Sequence, residues 1–171
     1  MKQALGIMSC ALLLTACAAT SEQEEPTATA VLQPRSGSQV HGTVKFTQIG
    51  DIVRISGEIV GHTKGPKGFH IHEKGDCSDP KAMSAGGHFN PQKGKHGGPY
   101  SPVKHAGDIG NLVFNDQGVA KVNITVGNIS VSRDRADGII GRALVVHMAP
   151  DDLKTDPTGN AGGRAACGVI G

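Results

Sequence analysis

The chain has 171 residues, a length that suits one domain with a sizeable core and leaves little room for a second. Its net charge of +2, with basic and acidic residues interspersed, excludes a basic stripe for nucleic acid and an acidic tail. Glycine takes 25 positions and aromatics only 3%, so a fold with many turns and a core of Val, Ile, Leu and Ala is expected rather than a fibrous one.

The first 17 residues, "MKQALGIMSCALLLTAC", have a basic start and then an apolar run from Ala4 to Leu14, too short to span a bilayer as a mature helix. Residues 1–16 are therefore read as a signal peptide. The ending "LTAC" resembles the bacterial lipoprotein signal, which implies that Cys17 is lipidated and becomes the first residue of the mature chain; a plain signal peptide with a chance cysteine is the alternative. Residues 17–27, acidic and small with Pro26 among them, read as a flexible tether. The domain then runs over residues 28–171.

Eight strand signals follow: "TATAVLQP", "QVHGTVKFTQ", "DIVRISGEIVG", "GFHIHE", "GNLVFND", "GVAKVNITVGN", "GRALVVHMA" and "ACGVIG". Several alternate with period two, as Val44 and Phe46 do against Thr43 and Lys45, which marks half-buried strands. The turns "IGD" and "NDQG" predict short hairpins and hence antiparallel neighbours. The expected class is all-β, an eight-stranded Greek-key barrel or sandwich. Two long segments, Lys74 to Asp108 and Pro150 to Arg164, interrupt the rhythm, and loops of that length in a compact domain are usually functional or disordered.

Of eight histidines, five lie between residues 70 and 105. His70 and His72, two apart on a strand, present their imidazoles to one face while Phe69 and Ile71 turn to the core. With His88, His96, His105, Asp108 and His147 they make seven candidate metal donors. Imidazole suits copper and zinc, and a carboxylate added to histidines suits zinc. Seven donors exceed one four-coordinate site and fill two if one histidine is shared. His41 and His62 read as solvated loop residues. With Cys10 removed and Cys17 lipidated, Cys77 and Cys167 remain, and in an oxidising compartment they suggest a disulfide; two buried free thiols are the alternative.

The motifs "GFHIHEKGDC", "AGGHFNP", "KHGGP", "KHAGDIGNL", "GIIGRALVVH" and "TGNAGGRAACGVIG", in this order, resemble those of the copper/zinc superoxide dismutases of the exported bacterial kind, from about Ala28 to Gly171. The resemblance implies dismutation of superoxide to dioxygen and hydrogen peroxide. It implies copper on His70, His72, His88 and His147, and zinc on His88, His96, His105 and Asp108, with His88 bridging and taking a proton during turnover. Asp151 would hydrogen-bond one copper and one zinc ligand, although an ordinary turn acid beside Asp152 is the other reading. Arg164 would guide the anion, and Cys77 and Cys167 would pair. A metal carrier on the same fold has no need of such an arginine. Relative to animal and plant members, the segment from Asp151 to Arg164 is shorter and the loop from His72 to Cys77 tighter, so their subunit contact is not assumed and a homodimer stays open. Together with the lipoprotein signal, the resemblance places the enzyme in the cell envelope, lipid-anchored to a bacterial membrane and facing the periplasm or exterior.

Overall fold

The computed structural model describes residues 24–171; the signal peptide read over 1–16, Cys17 and most of the tether lie outside them. Eight strands appear in the expected order: β1 Thr27–Pro34, β2 His41–Ile49, β3 Ile52–Val60, β4 Gly65–His72, β5 Asp108–Phe114, β6 Val119–Val126, β7 Ala143–His147 and β8 Arg164–Val169. All ladders are antiparallel, in the order β5-β4-β7-β8-β1-β2-β3-β6. The two end strands touch without forming a ladder, so the sheet is a nearly closed barrel with a seam between β5 and β6.

That seam corrects one expectation. The turn at Asn115–Gly118 does close, with Asn115 N–H donating to the Val119 carbonyl and the Asn115 side chain accepting from Gln117 and Val119. Beyond it the strands part: β5 pairs with β4 and β6 with β3. Only the turn at Gly50 and Asp51, with Gly50 at a positive φ, makes the full hairpin that its sequence suggests.

The barrel is filled by Val44, Phe46, Ile55, Phe69, Ile71, Phe114 and Leu144 among others. Period two holds in β1, β2 and β6, yet every residue of β7 is buried. Leu144 and Val146 face the barrel core, while Ala143 and Val145 pack outward against Ala82, Ala85 and Cys167. This second small cluster is covered by the loop 73–107, so β7 has apolar neighbours on both faces. The Cys77–Cys167 disulfide, Cα to Cα 5.8 Å, fastens that loop to β8, and the Arg35 guanidinium donates to the Cys77 carbonyl at 2.8 Å. The opposite faces of β4 follow the same rule: Phe69 and Ile71 enter the core, and His70 and His72 lie under the loops rather than in solvent.

Candidate metal centre

The loop 73–107 is stitched to the end of β4 before it reaches the histidines. Ile71 N–H donates to Gly107, Phe89 N–H to Ile71, and Gly107 N–H to Phe89. Phe89 is buried in the barrel core, and an isolated bridge sets His88 opposite His72. Across the sheet, His70 pairs with Asp108 beyond an irregularity in register at Gly68, and His147 ends β7 at another, opposite Arg164. Such irregularities re-aim side chains beside functional sites. His96 and His105 come from the same loop as His88. All seven donors, with Asp151, show at most 5% of their surface.

Two groups of four donors result: His70, His72, His88 and His147, and His88, His96, His105 and Asp108. In each the ligand atoms lie within 4.8 Å of one another, and among the described residues only His88 belongs to both. Its ring centroid is 4.1 Å from that of His70 and 5.6 Å from that of His105.

The hydrogen bonds decide which nitrogens are free. A neutral imidazole has one N–H and one lone pair. His70 Nε2 donates to Asp151 Oδ2 at 2.8 Å and His96 Nε2 to Asp151 Oδ1 at 2.9 Å. His72 Nδ1 donates to the Gly86 carbonyl at 3.0 Å and His147 Nδ1 to the Gly162 carbonyl at 3.3 Å. Each of these rings therefore turns its lone pair inward, and His72 Nε2 faces His147 Nε2 at 3.3 Å. Buried His70 Nδ1, His88 Nε2, His96 Nδ1 and His105 Nδ1 have no hydrogen-bond partner among the described residues. Buried polar atoms are nearly always satisfied, and a cation in each group would satisfy these. Asp108 Oδ1 stands 2.8, 3.1 and 3.2 Å from the Nδ1 atoms of His88, His96 and His105, the pattern of four donors around one centre.

The electrostatics separate the groups. Burial pushes His70 down to about 4, against the pull of Asp151, and it pushes His72 and His147 well below their ordinary value, helped by neighbouring histidines and Arg164. These rings are neutral ligands. Burial also lowers His96, but the carboxylates of Asp108 and Asp151 outweigh it and raise the group to about 10, so without a metal the ring also carries a proton on Nδ1 beside Asp108, one that a cation there would displace. Burial would raise Asp108 and Asp151; hydrogen bonds from His88, His70 and His96 instead hold both below the usual carboxylate range. The first group is imidazole nitrogen throughout, suited to copper, and the second adds a carboxylate, suited to zinc.

Asp151 joins the groups, and the structure holds it from three sides. Asn111 on β5 accepts from Asp151 N–H at 2.8 Å and donates to its carbonyl at 2.9 Å, and Leu153 N–H donates to Oδ1. Gly159, at φ +62°, has no room for a Cβ, which would collide with Asp151 Oδ1 and His96 Nε2. Arg164 opens β8 half buried, its two terminal nitrogens donating to the Ala82 and Gly86 carbonyls.

Sequence reasoning missed Asn111, Gly159 and the carbonyls of Gly86 and Gly162. It also misread His62, which is not simply solvated. Its ring lies 5.1 Å from that of Phe114; Thr63 N–H donates to Nδ1, so Nε2 bears the proton and donates to the His147 carbonyl at 3.1 Å. His41 is exposed, as expected, but it opens β2 rather than lying in a loop.

Residues 40–170 match a family model described as copper/zinc superoxide dismutase. An extracellular superoxide dismutase [Cu-Zn] of Drosophila melanogaster is 44% identical over 177 aligned positions, which cover 96% of each chain. Among solved structures, the clock protein EA4 is 42% identical with a TM-score of 0.78, over 87% of this chain and 96% of that one.

Proposed function

This chain belongs to the copper/zinc superoxide dismutase family, and on that premise we propose how its residues share the dismutation of superoxide to dioxygen and hydrogen peroxide. The supporting observation is the pair of donor groups that meet at His88. His70, His72, His88 and His147 hold copper; His88, His96, His105 and Asp108 hold zinc. Copper, when bound, supplies a centre that takes an electron from one superoxide and returns it to a second, while zinc has no redox chemistry and supplies fixed charge.

The protein's own groups do the rest. Arg164 attracts the anion and orients it with its planar fork of N–H donors. His88 Nε2, which no group among the described residues bonds, would take a proton from solvent once its lone pair is free, hold it between the two half-reactions and deliver it to the peroxide, the other proton coming from water. Asp151 keeps His70 and His96 in the tautomer that leaves Nδ1 free. The barrel supplies rigid support for His70, His72 and His147.

The domain, residues 28–171, follows a signal peptide over 1–16 and a tether over 17–27, with lipid on Cys17 anchoring it to a bacterial membrane, where it protects the envelope facing the periplasm or exterior. The "LTAC" ending supports the anchor, and export is in keeping with the extracellular name of the Drosophila relative.

Metal analysis and a superoxide assay on one purified sample test the reading. About one copper and one zinc per chain are expected, with activity lost on chelation and restored only when copper returns. Full activity in a copper-free sample would refute it.

A further inference from the structure

Each ring nitrogen that points away from the two donor groups meets a defined acceptor, with one exception. His70 and His96 use Asp151, His72 uses the Gly86 carbonyl and His147 the Gly162 carbonyl. His105 Nε2 has none of these; it faces Asp156 Oδ1 at 3.7 Å. The same oxygen accepts the backbone N–H of His96 at 2.6 Å. Asp156 is thus the group of the loop 148–163 that reaches two histidines of the zinc set, whereas Asp151 reaches His96 of that set and His70 of the other.

Its placement is not loose. Asp152, four residues earlier, accepts from Lys154 N–H, from the Thr155 N–H and hydroxyl and from the Asn160 side chain, and Gly159 N–H donates to the Thr155 carbonyl. These bonds form a tight turn that projects Asp156 across to the other loop. There it flanks a cleft that His88 and His105 also line, both of them buried. Asp156 itself is half exposed.

We propose that Asp156 is a positioning residue of the zinc set: it pins the His96 backbone and sets a negative charge against His105 Nε2, which holds both rings in place and slows loss of the metal. The proposal rests on the assignment of zinc to His88, His96, His105 and Asp108. It gives the short loop before Arg164 a second role beyond carrying Asp151.

The test loads the full-length protein with zinc and follows its release to a chelator, for the parent, Asp156→Ala and Asp156→Asn. Partners of metal ligands outside the donor set change affinity by about 10–100-fold, so release from Asp156→Ala should be at least about tenfold faster. Asn keeps an acceptor for the His96 N–H and loses the charge, so its rate should fall between. The visible spectrum of cobalt(II) placed in the same set should shift in both variants, while the copper(II) spectrum of the other set stays as in the parent. Parental release from both variants overturns the proposal, as does equal loosening of copper and zinc, which would mean a general effect on the loops. If Asp156→Ala does not fold, the rate for Asp156→Asn decides alone. A parent that takes up no zinc sinks the underlying assignment; a parent that binds zinc with unchanged variants sinks only the role of Asp156.

Discussion

Arg164 and His72 donate to the same carbonyl oxygen, that of Gly86: the guanidinium through one terminal nitrogen and the imidazole through Nδ1 at 3.0 Å. The charge proposed to bind the anion and a proposed copper ligand are therefore one backbone group apart, and neither can move without disturbing the acceptor of the other.

Arg164→Ala should lower the second-order rate with superoxide by about tenfold or more at low salt, the scale of electrostatic focusing on a small ion. Salt screens such attraction over about 8 Å at physiological ionic strength, so the parent should slow as salt rises and the variant much less. Arg164→Lys keeps the charge, loses the fork and should fall between. Pulse radiolysis on copper-loaded samples reads all three; equal rates for parent and Arg164→Ala would remove the guiding role.

Asp151→Ala should weaken both metal sites at once, because one carboxylate bonds His70 and His96. A loss of about 10–100-fold in affinity is the usual scale. Gly159→Ala should act in the same direction without touching a donor, since its Cβ would occupy the position of Asp151 Oδ1. Competition titrations for copper and zinc check this, and a variant that lost only one metal would contradict the shared role.

Removing the Cys77–Cys167 bond, which spans 90 residues, should cost about 4–5 kcal/mol on the chain-entropy account. For a domain of this size that is a fall in Tm on the order of 10 °C. Because the bond fastens the loop that supplies the Ala82 and Gly86 carbonyls, reduction should also slow the reaction. Calorimetry and rate measurement with and without reductant test both parts.

Stability of the metal-free protein should peak between about pH 6 and 7, near the ordinary histidine value. Burial holds His70 down to about 4 and holds His72 and His147 well below their ordinary value. As pH falls below 6.5 the unfolded chain binds protons that these buried rings refuse, and stability drops. His96, raised to about 10, works the other way: its contribution is complete below 6.5 and is lost as pH rises through 10. Asp108 and Asp151, both depressed, stabilise above the ordinary carboxylate range and cease to do so in strong acid. Thermal scans from pH 4 to 10 would contradict this account by showing a steady rise on the alkaline side.

Mass spectrometry of native material should find lipid on Cys17 and no residue before it. Extraction should require detergent, since acyl chains partition into the bilayer by hydrophobic transfer rather than by charge. Release by a salt wash with an unmodified Cys17 would refute the anchor.

Much of this protein was legible residue by residue. Alternation along "GTVKFTQ" marks β2, two histidines in "HIH" must share a face, and the seven donors are types that bind metals, because strand geometry and ligand chemistry are local properties. Other features depend on which distant segments meet. "NDQG" looks like any hairpin turn, yet barrel closure sends β5 and β6 to different partners. His62 has no local mark that sets it against the His147 carbonyl, 85 residues away. Asp156 lies 60 residues from His96 in an unremarkable "KTDPTG". The acceptors at Gly86 and Gly162 are main-chain carbonyls, which every residue possesses and no residue type announces. Sequence alone therefore determined the strands and the donor types. Tertiary structure decided which nitrogens were left with free lone pairs and which groups hold the others, because those depend on contacts made only when two long loops close over the barrel.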